Sequence, residues 1–274
     1  MAVRRVLVKN FSINAEKLKF KMFKIKEMSG RLDWIDISRG IFFFPMLIYH
    51  LFSIYDTNTG TIYSQKPMIH FLGNVRLLYI ILAGISLYLA TIKPQPIGMF
   101  LKKRWNRSYH IAFYAAALTI LTYFLYPSNM IRFGILHFIA LATLLISPIA
   151  YANSIPLTAI CFIISLWLSY GDLIPAISKP IDVVTGGSVP YNSMDWFPLK
   201  RYLPYLLFGL LFAQLAGLGD DHNEHNEFTD EDKENKKTPY RQLEWMGKNS
   251  LELYATHVIV LLVVYYVFFR QPNN

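Results

Sequence analysis

Arg39 and His50 stand eleven positions apart inside one apolar run, residues 35–55. At ~100° per residue, eleven helical steps return to nearly the same face, ~16 Å further along the axis. Ionisable side chains inside a membrane helix are expensive and by default mark a functional path. A neutral imidazole takes a proton from a hydroxyl or amine near neutral pH. A guanidinium holds phosphate in a fixed fork. Together they suit acyl transfer, with His50 as base or transient acyl carrier and Arg39 as the clamp for an anionic donor. The same pair would also serve a transporter or channel passing protons or anions, or merely join helices in an assembly subunit. Spacing does not choose among these.

The elements that carry them are read from composition. The chain has 274 residues, 54% hydrophobic and 16% aromatic, with 16% charged against about 25% in a soluble domain. Its apolar residues fall into seven long blocks, 35–55, 72–92, 109–126, 131–150, 153–170, 200–218 and 251–269, most near the ~20 residues a span needs. The expected fold is all-α, a polytopic transmembrane bundle of about seven spans, or eight. One membrane domain, 31–270, follows a basic segment, 1–30. That segment lacks the apolar core of a cleavable signal and reads as a cytoplasmic tail on anionic lipid, not a nucleic-acid arm.

Nineteen of the 27 Lys and Arg residues lie before the first span, in 93–108 and in 219–250. These segments alternate with the spans, which predicts a cytoplasmic N-terminus and an external C-terminus in a plasma or inner membrane. Counting from span ends then sorts the polar groups into two levels. The outer level holds His50 and His137, with Asn74, Arg76 and Arg132 near its rim. The inner level holds Arg39 and His257, with Lys248, Asn249 and Ser250 where the last span begins. The acidic stretch 219–240 contains His222 and His225, but its polar flanks read as a solvated cytoplasmic linker, and no metal site is expected. Cys161 is the single cysteine, so no intrachain disulfide forms.

Several segments resemble the heparan-alpha-glucosaminide N-acetyltransferase catalytic-domain-like family, in order from about residue 31 to 265. They are Arg31-Leu-Asp-Trp-Ile-Asp-Ile-Ser-Arg39-Gly40, Leu82-Ala-Gly-Ile-Ser86 and Arg132-Phe-Gly-Ile-Leu-His137. Asp195-Trp-Phe-Pro198 and Trp245-Met-Gly-Lys-Asn-Ser-Leu-Glu-Leu-Tyr254 with His257 complete the set. Arg39 and His50 also look like the arginine-histidine motif of related membrane acyltransferases that acetylate bacterial surface polysaccharides. Ala83 stands where the family tends to have serine, and Leu199-Lys-Arg-Tyr-Leu-Pro204 replaces a shorter approach to Leu-Pro-Trp.

The resemblance implies a multi-helix acyltransferase fed with acetyl-CoA, or another acyl-CoA, from the cytoplasm. His50 would be its catalytic histidine and Arg39 the donor-side partner. His137, Asp195, Asn249, Ser250 and His257 would line the pathway. The expectation is therefore transfer of a short acyl group to a sugar hydroxyl or amine of an envelope glycan. Catalysis would rest on His50, Arg39 and His137. Donor binding would fall to Arg39, Lys248, Asn249, Ser250 and His257, and acceptor binding to Asn74, Arg76, Arg132 and Asp195. The partners would be the glycan and the bilayer, with no nucleic acid and with a homodimer compatible.

Overall fold

The computed structural model describes residues 33–59, 61–170, 183–186, 193–218 and 238–269. The basic segment 1–30 and most of the acidic linker, with His222 and His225, lie outside the described residues. Each apolar block becomes a helix, since in lipid only internal backbone hydrogen bonds satisfy the chain. In order these are α1 (Asp33–Thr59), α2 (Pro67–Ile92), α3 (Ile97–Leu125), α4 (Ile135–Ala152), α5 (Ile155–Tyr170), α6 (Leu199–Leu215), α7 (Thr238–Lys248) and α8 (Ser250–Phe269).

Five of them, α1, α2, α3, α4 and α8, are long and apolar enough to cross a membrane. The other two expected spans are shorter. α5 has 16 residues, and α6 has 17 with Lys200 and Arg201 in its first turn. Several boundaries differ from the sequence reading: α2 begins at Pro67, not 72, and α4 at Ile135, not 131. α3 begins at Ile97, not 109, and carries Lys102, Lys103, Arg104 and Arg107 within the helix. Lys and Arg are good helix formers, and a basic face that reaches water does not end a helix. α7 lies in a stretch read only as cytoplasmic loop.

The five long helices close on themselves. α1 packs on α2, α2 on α4, α4 on α3, α3 on α8, and α8 back on α1. α6 lies against α2 with α5 beside it, and α7 lies against α1. Two of these contacts depend on glycine pairs. A Cβ at Gly84 would strike the carbonyl oxygen of Leu206, and one at Gly209 would strike that of Ile81. Gly40 and Gly247 do the same between α1 and α7, against Leu243 and Asp36. Small residues let membrane helices approach to backbone contact. Large apolar side chains such as Phe113, Phe124, Ile163 and Phe268 are left outward, as a surface solvated by lipid requires.

Candidate active site

His50 on α1 and His257 on α8 meet with Nδ1 of the first 2.9 Å from Nε2 of the second. His257 Nδ1 lies 3.0 Å from the carbonyl oxygen of Leu253. A carbonyl only accepts, so His257 carries its proton on Nδ1. With both rings neutral, His257 Nε2 is then the acceptor and His50 Nδ1 the donor. The proton count leaves His50 Nε2 with its lone pair, so the pair fixes the tautomer a general base needs. Phe43 and Tyr254 pack against His257 in T-shaped contacts, at ring-centroid distances of 5.2 and 5.4 Å.

His50 lines a cavity of about 10 Å³, room for roughly one water. α1 also contributes Met46 and Tyr49, α2 gives Gly73 and Arg76, and α8 gives Tyr254. Ile135 at the start of α4 and Asp195 and Phe197 from the segment before α6 complete it. The Arg76 guanidinium sits 5.5 Å from the Tyr49 ring centre and 5.1 Å from that of Phe197. It is thus a cation held against two aromatic rings in the cavity that His50 lines.

Asp195 is placed by the segment before α6, which is hydrogen-bonded to residues 129–133. Phe197 N–H donates to Phe133 O at 2.8 Å, and Met194 N–H to Asn129 O at 3.0 Å. Ser193 Oγ donates to Met130 O at 3.0 Å. The Asp195 carboxylate accepts from Ile135 N–H at 2.9 Å and from the Tyr254 hydroxyl at 3.4 Å. Burial pushes its pKa up; the Ile135 N–H, then the Arg76 charge and the Tyr254 hydroxyl pull it down, and burial prevails. A Cβ at Gly134 would collide with the Asp195 carboxylate, so that glycine makes the space in which the acid sits.

Arg39 belongs to a second cluster. It donates to Asp36 at 3.0 Å and to Ser86 Oγ at 2.5 Å, and the Tyr79 hydroxyl donates to its carbonyl at 2.6 Å. Arg39 is absent from the residues lining the His50 cavity. Pro45 lies between the two in α1 and cannot give the N–H that bonds the carbonyl four residues back. Lys248 pairs with Glu244, and the Asn249 side chain donates to Trp245 O at 2.8 Å. With Ser250 they form the junction of α7 and α8.

His257 therefore stands with His50, not at the inner level beside Arg39. The depth count assumed that every span starts at one membrane plane. α8 instead follows α7 after Asn249 alone, and α7 is held on α1 by the Gly40 and Gly247 contacts. Helix packing, not the bilayer surface, sets where α8 begins.

His137 is occupied elsewhere. Its Nδ1 accepts from Gly134 N–H at 3.2 Å, and its Nε2 faces Thr119 Oγ1 at 3.3 Å. The ring caps the start of α4 and ties it to α3. Asn74 is exposed on α2. The Arg132 backbone N–H donates to Ser193 Oγ at 3.5 Å. Neither lines the cavity. Tyr49, Phe197 and Tyr254 were not expected as site residues. Tyr254 and His257 are three apart and share a helix face, the signal that would have singled out the tyrosine.

No curated protein and no solved structure matches the chain. Residues 31–259 match the family model described as heparan-alpha-glucosaminide N-acetyltransferase, catalytic. That match covers well over half of the sequence and contains the whole His50 cavity. The chain therefore belongs to the heparan-alpha-glucosaminide N-acetyltransferase catalytic-domain family, a family of membrane acetyltransferases.

Proposed function

We propose that the protein transfers an acetyl or other short acyl group from acyl-CoA to a sugar hydroxyl or amine of an envelope glycan. The carrying observation is the His50–His257 pair, because its hydrogen bonds leave His50 Nε2 unprotonated, and Arg76 lines the same cavity as His50. His50 Nε2 removes the acceptor proton as the acceptor oxygen or nitrogen attacks the thioester carbonyl. Arg76 stabilises the oxyanion of the tetrahedral adduct. Collapse breaks the C–S bond, and the departing thiolate takes the proton back from His50. His257 shares the transient positive charge by accepting from His50 Nδ1 and donating onward to Leu253 O. Asp195 and Tyr254 orient the acceptor.

The donor enters from the cytoplasmic side, where Arg39, Lys248, Asn249 and Ser250 face its phosphates and pantetheine arm. On this reading the N-terminus is cytoplasmic and the acceptor lies on the opposite face. Arg39 and His50 then serve two ends of one donor molecule, which accommodates the ~16 Å between them. His137 acts by holding the entry of α4, where Ile135 binds Asp195.

The test is labelled acetyl-CoA with purified protein and a panel of saccharides. Wild type should move label to sugar, and His50→Ala should lower kcat about 10²- to 10⁴-fold, the usual worth of a general base. Unchanged transfer by a folded His50→Ala protein would remove the histidine from the chemistry.

A further inference from the structure

A second and larger cavity, ≈ 730 Å³, lies between α5 and α6, well within the size range of ligand pockets, about 300–1,000 Å³. Phe162 and Leu166 from α5 and Phe208 from α6 give it an apolar lining. Lys200 and Arg201 also line it, and no carboxylate is among its described lining residues. Both cations sit in the first turn of α6, which has no acidic residue and no side-chain cap. Positive charge is least favourable at that end of a helix, so an anion there would offset both effects. The chemistry of the cavity is graded, basic at one end and greasy along its length. That grading is the shape of a lipid with an anionic head.

The cavity shares a wall with the reaction pocket. Trp196 is bridged to Phe133, and the side chains of 195–198 divide between the two cavities. Asp195 and Phe197 line the His50 cavity, while Trp196 and Pro198 line the large one. Trp196 is fixed by donating to Val183 O at 2.8 Å. A ligand in the large cavity would therefore rest against the other side of the segment that holds Asp195.

We infer that this cavity binds the lipid-phosphate anchor of the acceptor, with the phosphate on Lys200 and Arg201 and the chain between α5 and α6. It rests on the acyltransferase reading and narrows the acceptor to a saccharide linked to a membrane lipid through phosphate. The anchor would hold the sugar beside the histidine pocket and confine it to the membrane surface.

Two measurements on the full-length protein in detergent decide this. The first compares retention of phosphatidic acid with diacylglycerol of the same chains. Wild type should retain phosphatidic acid at least tenfold better, and Lys200→Ala/Arg201→Ala should lose that preference. His50→Ala should keep it. Equal retention by wild type, or a preference that survives the double substitution, would overturn the site. The second compares kcat/KM for a dodecyl-phosphate-linked sugar and the matching methyl glycoside. A ratio above ten that collapses in the double variant supports the acceptor role, and a ratio of one rejects it. Consumption of acetyl-CoA with neither sugar would instead reject the acyltransferase reading and the acceptor role with it, leaving the lipid site to the first measurement.

Discussion

His50 donates from Nδ1 to Nε2 of His257 across 2.9 Å, joining α1 to α8 over a sequence separation of 207. The second histidine is in turn fixed by the Leu253 carbonyl on its own helix. The arrangement is a carbonyl–imidazole–imidazole chain ending in one lone pair. Its value lies in selecting a tautomer, since an unheld histidine presents either nitrogen.

His257→Ala should lower kcat by about 10- to 100-fold, less than loss of the base itself, because His50 survives without its orienting partner. The acetyl-CoA KM should change little. A full loss of turnover equal to that of His50→Ala would make His257 a reacting group, and no loss would break the relay.

Arg39→Ala should raise the KM for acetyl-CoA and leave the KM for the sugar nearly unchanged. Arg39→Lys should recover only part of this, because lysine cannot reach Asp36 and Ser86 as a fork. Steady-state kinetics with each substrate varied in turn reads the difference. A rise confined to the sugar KM would move Arg39 to the acceptor side.

The Asp195 carboxyl has a folded pKa raised above its ordinary value of 3.8, chiefly by burial. Between the unfolded and folded values the native protein binds the extra proton. The favourable contribution is complete below the unfolded value and is lost as pH rises through the folded one. Asp195→Asn lacks this titration, so its Tm relative to wild type should climb as pH increases from about 4 toward neutrality. A difference that shrinks with rising pH would contradict the burial argument.

His137→Ala should cost about 0.5–2 kcal/mol of stability, the range for a lost helix cap. His137→Asn, which can also accept from Gly134 N–H, should regain most of both stability and turnover. Restored stability with turnover still abolished would return the imidazole to the chemistry.

Gly84→Leu should destabilise by at least about 1–3 kcal/mol through overpacking, because its side chain would enter the α6 backbone at Leu206. Gly98→Ala is the matched control. Nothing lies within 4 Å of a Cβ there, so the helix should gain about 0.5–1 kcal/mol. Thermal unfolding in detergent measures both.

Much of the fold was legible in the chain because membrane helices are written in long apolar runs, and each run became a helix. The start of α3 was less so, because its basic residues conceal its first turns. The site was legible only in parts. His50, Arg76 and Asp195 were named as candidates and converge on one cavity. Arg39 shares a helix face with His50 by periodicity but lies at the other level, as the count placed it, where it bonds Asp36 and Ser86.

The sequence by itself determined the helical membrane architecture, the family, and the residue types able to hold a proton or an anion. Those follow from local composition and ordered motifs, which need no knowledge of neighbours. Only the tertiary structure decided that His257 completes His50, that Tyr49 and Phe197 flank Arg76, and that Trp196 turns away from Asp195 into a second cavity. The bundle sets these through helix offsets and backbone contacts at Gly40, Gly84, Gly209 and Gly247. Such offsets depend on which surfaces meet across hundreds of positions, and no periodicity along a single helix encodes them.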